Sequence, residues 1–328
     1  GRAEAALELA EEAMAMLNDG MDSGETFKVE TAHGYWLAVA GRLPQALEAF
    51  DHIVRLTGGD PQVGRELIGY SPSLWAEFMG AWMLAQAGRF DECWPRAELA
   101  IRLARKHGAQ ENLGWALGGV SSFAYLARGT SRMPVTDLRQ VALEAVEIAE
   151  AVGSRFGQIF ASNQLATAYF ESGDYGASEE RFTEALAQAR EAGTALDWQS
   201  FYLAVFADSC LARGNVEAAI VRAREGIEAA DAGGAWFQAA IARAALIDAL
   251  VSVGVPEQEV APVIAAARAL VRQSGGNSLL PRLREAEARL AGRNDRKVLE
   301  AGLREAEGMY RAMGATDPAA RLADEMAR

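Results

Sequence analysis

Residues Ser162 to Leu186 read SNQLATAYFESGDYGASEERFTEAL. Leu165, Ala166 and Tyr169 recur at the spacing of one helical face. Gly173-Asp174 then supplies a tight turn, and Tyr175, Phe182 and Ala185 mark the face of a second helix. A helix, a two-residue turn and a returning helix cannot bury both apolar faces alone. Weaker copies of this hairpin run in both directions along the chain, so the same unit is expected to stack on itself.

The turn glycines recur at Gly41, Gly88, Gly129, Gly173, Gly214, Gly254 and Gly292, at intervals of 47, 41, 44, 41, 40 and 38 residues. Seven residues before them stand Gly34, Ala81, Ser122, Ala166, Ala207 and Ile247, nearly all small. Five after stand Ala6, Ala46, Cys93, Ser178 and Ala219, counting Gly1 as the first turn. Four before stand Leu37, Leu84, Tyr125, Tyr169, Cys210 and Leu250, suited to a packed core. Small residues in both helices let a hairpin cross closely. Glycines at 108, 153, 193, 233, 275 and 314 mark the expected left-handed stops of the second helices. Two links are irregular: GGDPQVGRELIGYSP (58–72) and GTSRMPVT (129–136), the latter expected to be an exposed loop.

Composition agrees with a helical chain. Half of the 328 residues are apolar and only nine are proline. The net charge of −13 makes nucleic acid a poor partner, because affinity there comes from Lys and Arg meeting phosphates. Two isolated cysteines, Cys93 and Cys210, make no disulfide framework and suit a reducing, cytoplasmic setting. The most apolar long stretch, 239–255, carries Arg243 and Asp248, so no membrane span is expected.

The residues carry no catalytic constellation. There is no phosphate-cradling glycine loop, no paired-histidine zinc motif and no nucleophile elbow. His33, His52 and His107 lie in different hairpins. No catalytic residue, metal or cofactor is therefore assigned, and Cys93 and Cys210 read as small packing residues.

Six of seven tryptophans, at 36, 75, 82, 115, 198 and 236, fall in first helices. Six residues before the turn glycines stand Tyr35, Trp82, Phe123, Thr167, Asp208 and Asp248. Trp75 and Phe78 share a face with Trp82, and Asn163 and Glu171 flank Thr167. If this column faces a concave groove, the groove is aromatic at one end and acidic at the other, fit for an amphipathic segment with a basic end. The alternative is that these aromatics are core filling between long helices.

The pattern of large, small and turn residues resembles the tetratricopeptide (TPR) repeat, lengthened from its usual period of about 34 residues. The resemblance implies an all-α, right-handed solenoid of stacked antiparallel hairpins with a period near 40 residues. It would be one domain over 1–328. Residues 1–18 form the second helix of an incomplete hairpin, 19–275 six hairpins, and 276–328 a capping repeat and final helix. AGRLPQALEAFDHIV (40–54), ARKHG (104–108) and the closing MYRAMGATDPAARLADEMAR are more narrowly similar to the repeat region of bacterial multidomain proteins. Those proteins carry a class III nucleotidyl cyclase and a P-loop ATPase ahead of the repeats. On that resemblance the chain is a piece of a longer signalling protein. Its partner is a protein or peptide, or an upstream cyclase or ATPase domain of the same polypeptide. A small-molecule sensor with an enclosed aromatic pocket near Trp75, Trp82 and Trp115 is the other reading, and an all-α enzyme the third.

Overall fold

A computed structural model describes residues 2–17, 23–129 and 137–327. The expected loop at 129–136 lies, beyond Gly129, outside the described residues. All regular structure among the described residues is helical. After α1 (Ala3–Met16) come paired helices: α2 (Ser23–Ala40) with α3 (Leu43–Leu56), and, past a short α4 (Arg65–Ile68), α5 (Pro72–Gln86) with α6 (Phe90–Lys106). Next are α7 (Gln110–Ala127) with α8 (Leu138–Val152), α9 (Arg155–Glu171) with α10 (Tyr175–Ala192), and α11 (Gln199–Ala212) with α12 (Val216–Gly233). Then α13 (Trp236–Ser252) pairs with α14 (Glu257–Ser274), and a 3-10 turn (Asn277–Leu279) leads to α15 (Leu280–Ala291), α16 (Arg296–Ala312) and α17 (Thr316–Ala327). The chain is a right-handed α-solenoid of antiparallel TPR-like hairpins.

The six hairpin turns from α2–α3 to α13–α14 are closed by the same backbone device. The residue after the turn glycine donates its N–H back to the carbonyl of the fourth residue before that glycine. The pairs are Arg42 to Leu37, Arg89 to Leu84, Asp174 to Tyr169 and Asn215 to Cys210, each at 2.9 Å. This bond requires left-handed backbone at the turn residue. Gly41, Gly88, Gly173, Gly214 and Gly254 all have φ between 76° and 80°. Two glycines read as turn markers do not hold that position. In the third hairpin Arg128 takes it, at φ 54°, with Gly129 donating to Ala124; and Gly292 has φ −91°. Likewise the stop after α12 is Gly234 rather than Gly233, which remains helical. The principal hairpin helices run from 12 to 18 residues. Part of the period's extra length is spent in extended links such as 193–198, where Ala195 is also left-handed.

First and second helices differ in how they are enclosed. Every residue of α5 except Glu77 is buried, and α7, α11 and α13 are nearly as covered. In α8, α10 and α12 only one stripe is buried. A helix apolar on all sides must sit inside, and an amphipathic one outside. The coil is accordingly tight enough for distant hairpins to touch. A Cβ on Gly41 would stand 2.8 Å from the backbone nitrogen of Phe237, and the Arg42 guanidinium lies 3.9 Å from the Trp236 ring centroid. Trp82 of α5 and Trp198 at the start of α11 pack with ring centroids 5.1 Å apart. The first helices pack against one another in the middle.

Among the described residues no helix is long and apolar enough to cross a membrane, and no group of three or more His, Cys, Asp or Glu side chains could hold a metal ion.

Candidate functional site

The inner helices leave a cavity toward their N-terminal ends, with a volume of about 390 Å³. Ten of its fifteen lining residues are aromatic. They come from α2 (Tyr35, Trp36), the link before α5 (Tyr70), α5 (Trp75, Phe78, Trp82), α7 (Trp115), α9 (Phe156, Phe160) and the start of α11 (Trp198). Lys28 is the only charged side chain among the described residues of this lining.

The walls are held by specific contacts. Tyr70 meets Trp115 edge-on at 5.2 Å and Trp75 at 6.3 Å. Its neighbour Ser71 caps α5 by accepting from the Leu74 N–H. Ser71 also donates its N–H to Asn112 Oδ1 at 2.9 Å, while Asn112 Nδ2 donates back to the Ser71 carbonyl at 3.1 Å. That reciprocal pair ties the link to α7. On the far wall the Tyr35 hydroxyl donates to Asp197 Oδ2 at 3.0 Å, joining α2 to the segment before α11. Burial pushes the Tyr35 phenol well above its ordinary range, and the Asp197 charge adds to the shift, so it stays a donor. Close packing at the floor depends on Gly119 of α7, where a Cβ would sit 2.3 Å from the Phe78 ring.

A second, polar cluster lies toward the other end of the same helices. Arg282 of α15 is 4% exposed. It donates from Nη2 to Asp208 Oδ1 at 2.6 Å, from Nε to Asp248 Oδ2 at 2.8 Å, and from Nη1 to the Tyr125 hydroxyl at 3.2 Å. Tyr125 in turn donates to Asp208 Oδ2 at 2.8 Å. Burial opposes the charge on Arg282, but the two carboxylates outweigh it and its pKa is raised. Nearby, burial lifts the Glu171 carboxyl to about 7, against the pull of Arg128.

Of the residues singled out in the sequence, Tyr35, Trp75, Phe78 and Trp82 lie together on the cavity wall. Phe123 is fully buried behind them, 5.8 Å from Trp82 and 6.3 Å from Phe78. Asn163 and Thr167 are buried in α9. There Asn163 donates to the Ile159 carbonyl, and the Thr167 hydroxyl donates to the Asn163 carbonyl. Asp208, Asp248 and Glu171 belong to the polar cluster, with both aspartates engaged by Arg282. The positions thus fall into two groups, one around each end of the inner helices. Cys93 and Cys210 are buried thiols whose pKa burial raises, to about 12 for Cys210.

Sequence reasoning passed over Lys28 and Phe160, and it left Arg282 in the capping repeat without a role. A signal for the cavity existed. Thirteen residues ahead of the left-handed residues Gly41, Gly88, Arg128 and Gly173 stand Lys28, Trp75, Trp115 and Phe160, all on the cavity wall. Taking Gly129 as the third turn shifts that column by one residue and hides Trp115.

Fold and cavity together define a TPR-like solenoid with a partly open aromatic cavity lined by its inner helices. No protein-family model and no curated protein matches the chain. Solved structures do. A Rap protein complexed with competence and sporulation factor is 12% identical, covers 92% of this chain and 97% of its own, and superposes with a TM-score of 0.57. NprR in complex with its cognate peptide NprX is 11% identical over 99% of this chain and 97% of its own, with a TM-score of 0.55. Aspartyl phosphate phosphatase F from Bacillus subtilis is 13% identical over 99% and 88%, with a TM-score of 0.50. At these identities the likeness is one of fold.

Proposed function

We propose that this chain is a non-enzymatic sensor module. It takes a small, largely apolar molecule into the aromatic cavity and conveys occupancy as a change in how tightly the solenoid coils. The observation that carries this reading is the composition of the chamber: about 390 Å³, walled by ten aromatic side chains from five successive first helices and the links that lead into them. That volume is within the usual range for small-molecule sites, roughly 300–1,000 Å³. Because the wall draws on hairpins that are distant in sequence, a ligand bridging α2 and α5 to α9 and α11 favours the coil that brings them together. The shift it causes is bounded by its differential affinity for the two coils. A protein partner would read the coil; an ATPase or cyclase domain of the same polypeptide is the partner that the sequence resemblance suggests.

A second reading has a peptide or protein segment as the ligand, with one bulky apolar side chain seated in the chamber. It is supported by the similarly folded Rap protein and NprR, whose structures are complexes with competence and sporulation factor and with the peptide NprX.

Tryptophan fluorescence tests the site. Five of the seven tryptophans line the cavity, so occupancy must change emission. Titration with a panel of planar aromatic compounds, and separately with short apolar peptides, is expected to give a saturable change for one class. Ala32→Trp, which places an indole at the cavity wall, should remove it. Responses that never saturate, or that are the same in Ala32→Trp, would overturn the assignment.

A further inference from the structure

The cavity's polar groups are mismatched in one direction. Thr31 and Tyr35 already donate to protein acceptors, the Phe27 carbonyl and Asp197. The groups left over are donors. Lys28 contributes an exposed ammonium, and no acidic side chain appears among the described residues of the lining. The indole nitrogens of Trp82 and Trp115 are buried and have no hydrogen-bond partner. A buried donor without a partner carries a penalty of about 1–3 kcal/mol that a bound acceptor would relieve. A cationic guest would find the aromatic faces but would also meet Lys28, and no carboxylate stands among the described lining residues to answer its charge.

Resting on the sensor reading above, we infer that the ligand is a planar aromatic or similarly apolar body bearing one anionic, acceptor-only group, carboxylate-like in character. The body lies against the rings of Trp75, Phe78 and Phe160. The anionic group stays at the lip, paired with Lys28, where it keeps part of its hydration. The net charge of −13 does not forbid this. Beyond a Debye length of about 8 Å at physiological salt the protein's other charges are screened, and the nearby ammonium governs the last step of entry.

Two dyes with one aromatic body separate the charge from the cavity. 8-Anilinonaphthalene-1-sulfonate is anionic, and N-phenyl-1-naphthylamine is its uncharged parent. Both are expected to bind the full chain with one-to-one stoichiometry and to be excluded by Ala32→Trp. Lys28→Gln should weaken the sulfonate about three- to fivefold, the scale of a solvent-exposed ion pair, and leave the parent within about twofold. Added salt should weaken the sulfonate alone. If Lys28→Gln leaves the sulfonate unchanged, or weakens both dyes equally, the anion inference is wrong while the cavity stands. If neither dye binds wild type, or Ala32→Trp binds both as before, the cavity reading falls and the inference with it.

Discussion

Arg282 and Asp208, from α15 and α11, form a 2.6 Å ion pair in which both residues are at least nine-tenths buried. Asp248 closes the other side of the guanidinium at 2.8 Å. Removing one member of such a cluster strands the others. Arg282→Met is expected to cost about 3–5 kcal/mol in urea unfolding. Adding Asp208→Asn and Asp248→Asn to that variant should restore most of the loss, because no uncompensated charge remains. A triple variant as unstable as the single one would mean that the guanidinium acts by shape rather than charge.

Glu171 sets a pH dependence of definite sign. Burial lifts its carboxyl to about 7 in the folded chain, against an ordinary value of 4.5. The folded state therefore holds the proton more tightly than the unfolded state. Its contribution to stability is full below pH 4.5 and is lost as pH rises toward 7, by an amount on the order of 2–3 kcal/mol. Glu171→Gln should flatten the unfolding free energy across that window. Glu285 acts oppositely. Its carboxyl is buried, but Arg321, Arg128 and Arg289 hold it down at about 2, so its contribution is lost as pH falls from 4.5 toward 2. Chemical denaturation at a series of pH values from 2.5 to 7.5, in parent and both Gln variants, reads the two effects separately.

Gly119 is where the cavity floor tolerates no side chain. A Cβ there would lie 2.3 Å from the Phe78 ring. Gly119→Ala should destabilise by about 1–3 kcal/mol through overpacking. It should also alter dye affinity, since Phe78 is a wall residue. Gly308, inside α16, has open space where a Cβ would stand, so Gly308→Ala should stabilise by about 0.5–1 kcal/mol and leave binding unchanged. Thermal melts with and without dye distinguish the two sites.

Arg42 joins the first hairpin to the sixth. Its guanidinium stacks 3.9 Å from the Trp236 ring centroid and pairs with Glu4 at 3.2 Å. Arg42→Ala should cost about 0.5–2 kcal/mol. Hydrogen exchange should rise in the first turn of α13 and at the turn around Gly41, with α10 and α12 unaffected. Equal exchange throughout would show that this contact does not hold the coil closed.

The repeat was legible in the sequence because its determinants are local. A turn glycine, a carbonyl partner five residues upstream of the donor, and small residues at the crossing all act within one hairpin. The same locality explains why Leu37, Leu84 and Tyr169 could be read as a single column. Local signals also misled in one place: Gly129 has the composition of a left-handed turn, but Arg128 occupies it. That one-residue shift hid Trp115 from the column it shares with Trp75 and Phe160. The gathering of tryptophans in first helices was legible too, but not what surrounds them. Whether Trp82 faces a chamber or a neighbour, and whether Asp208 and Asp248 are open or paired, was decided by the curvature of the coil. Curvature accumulates small rotations over several hairpins, and only the finished superhelix brings Trp198 onto Trp82 and Arg282 between two aspartates.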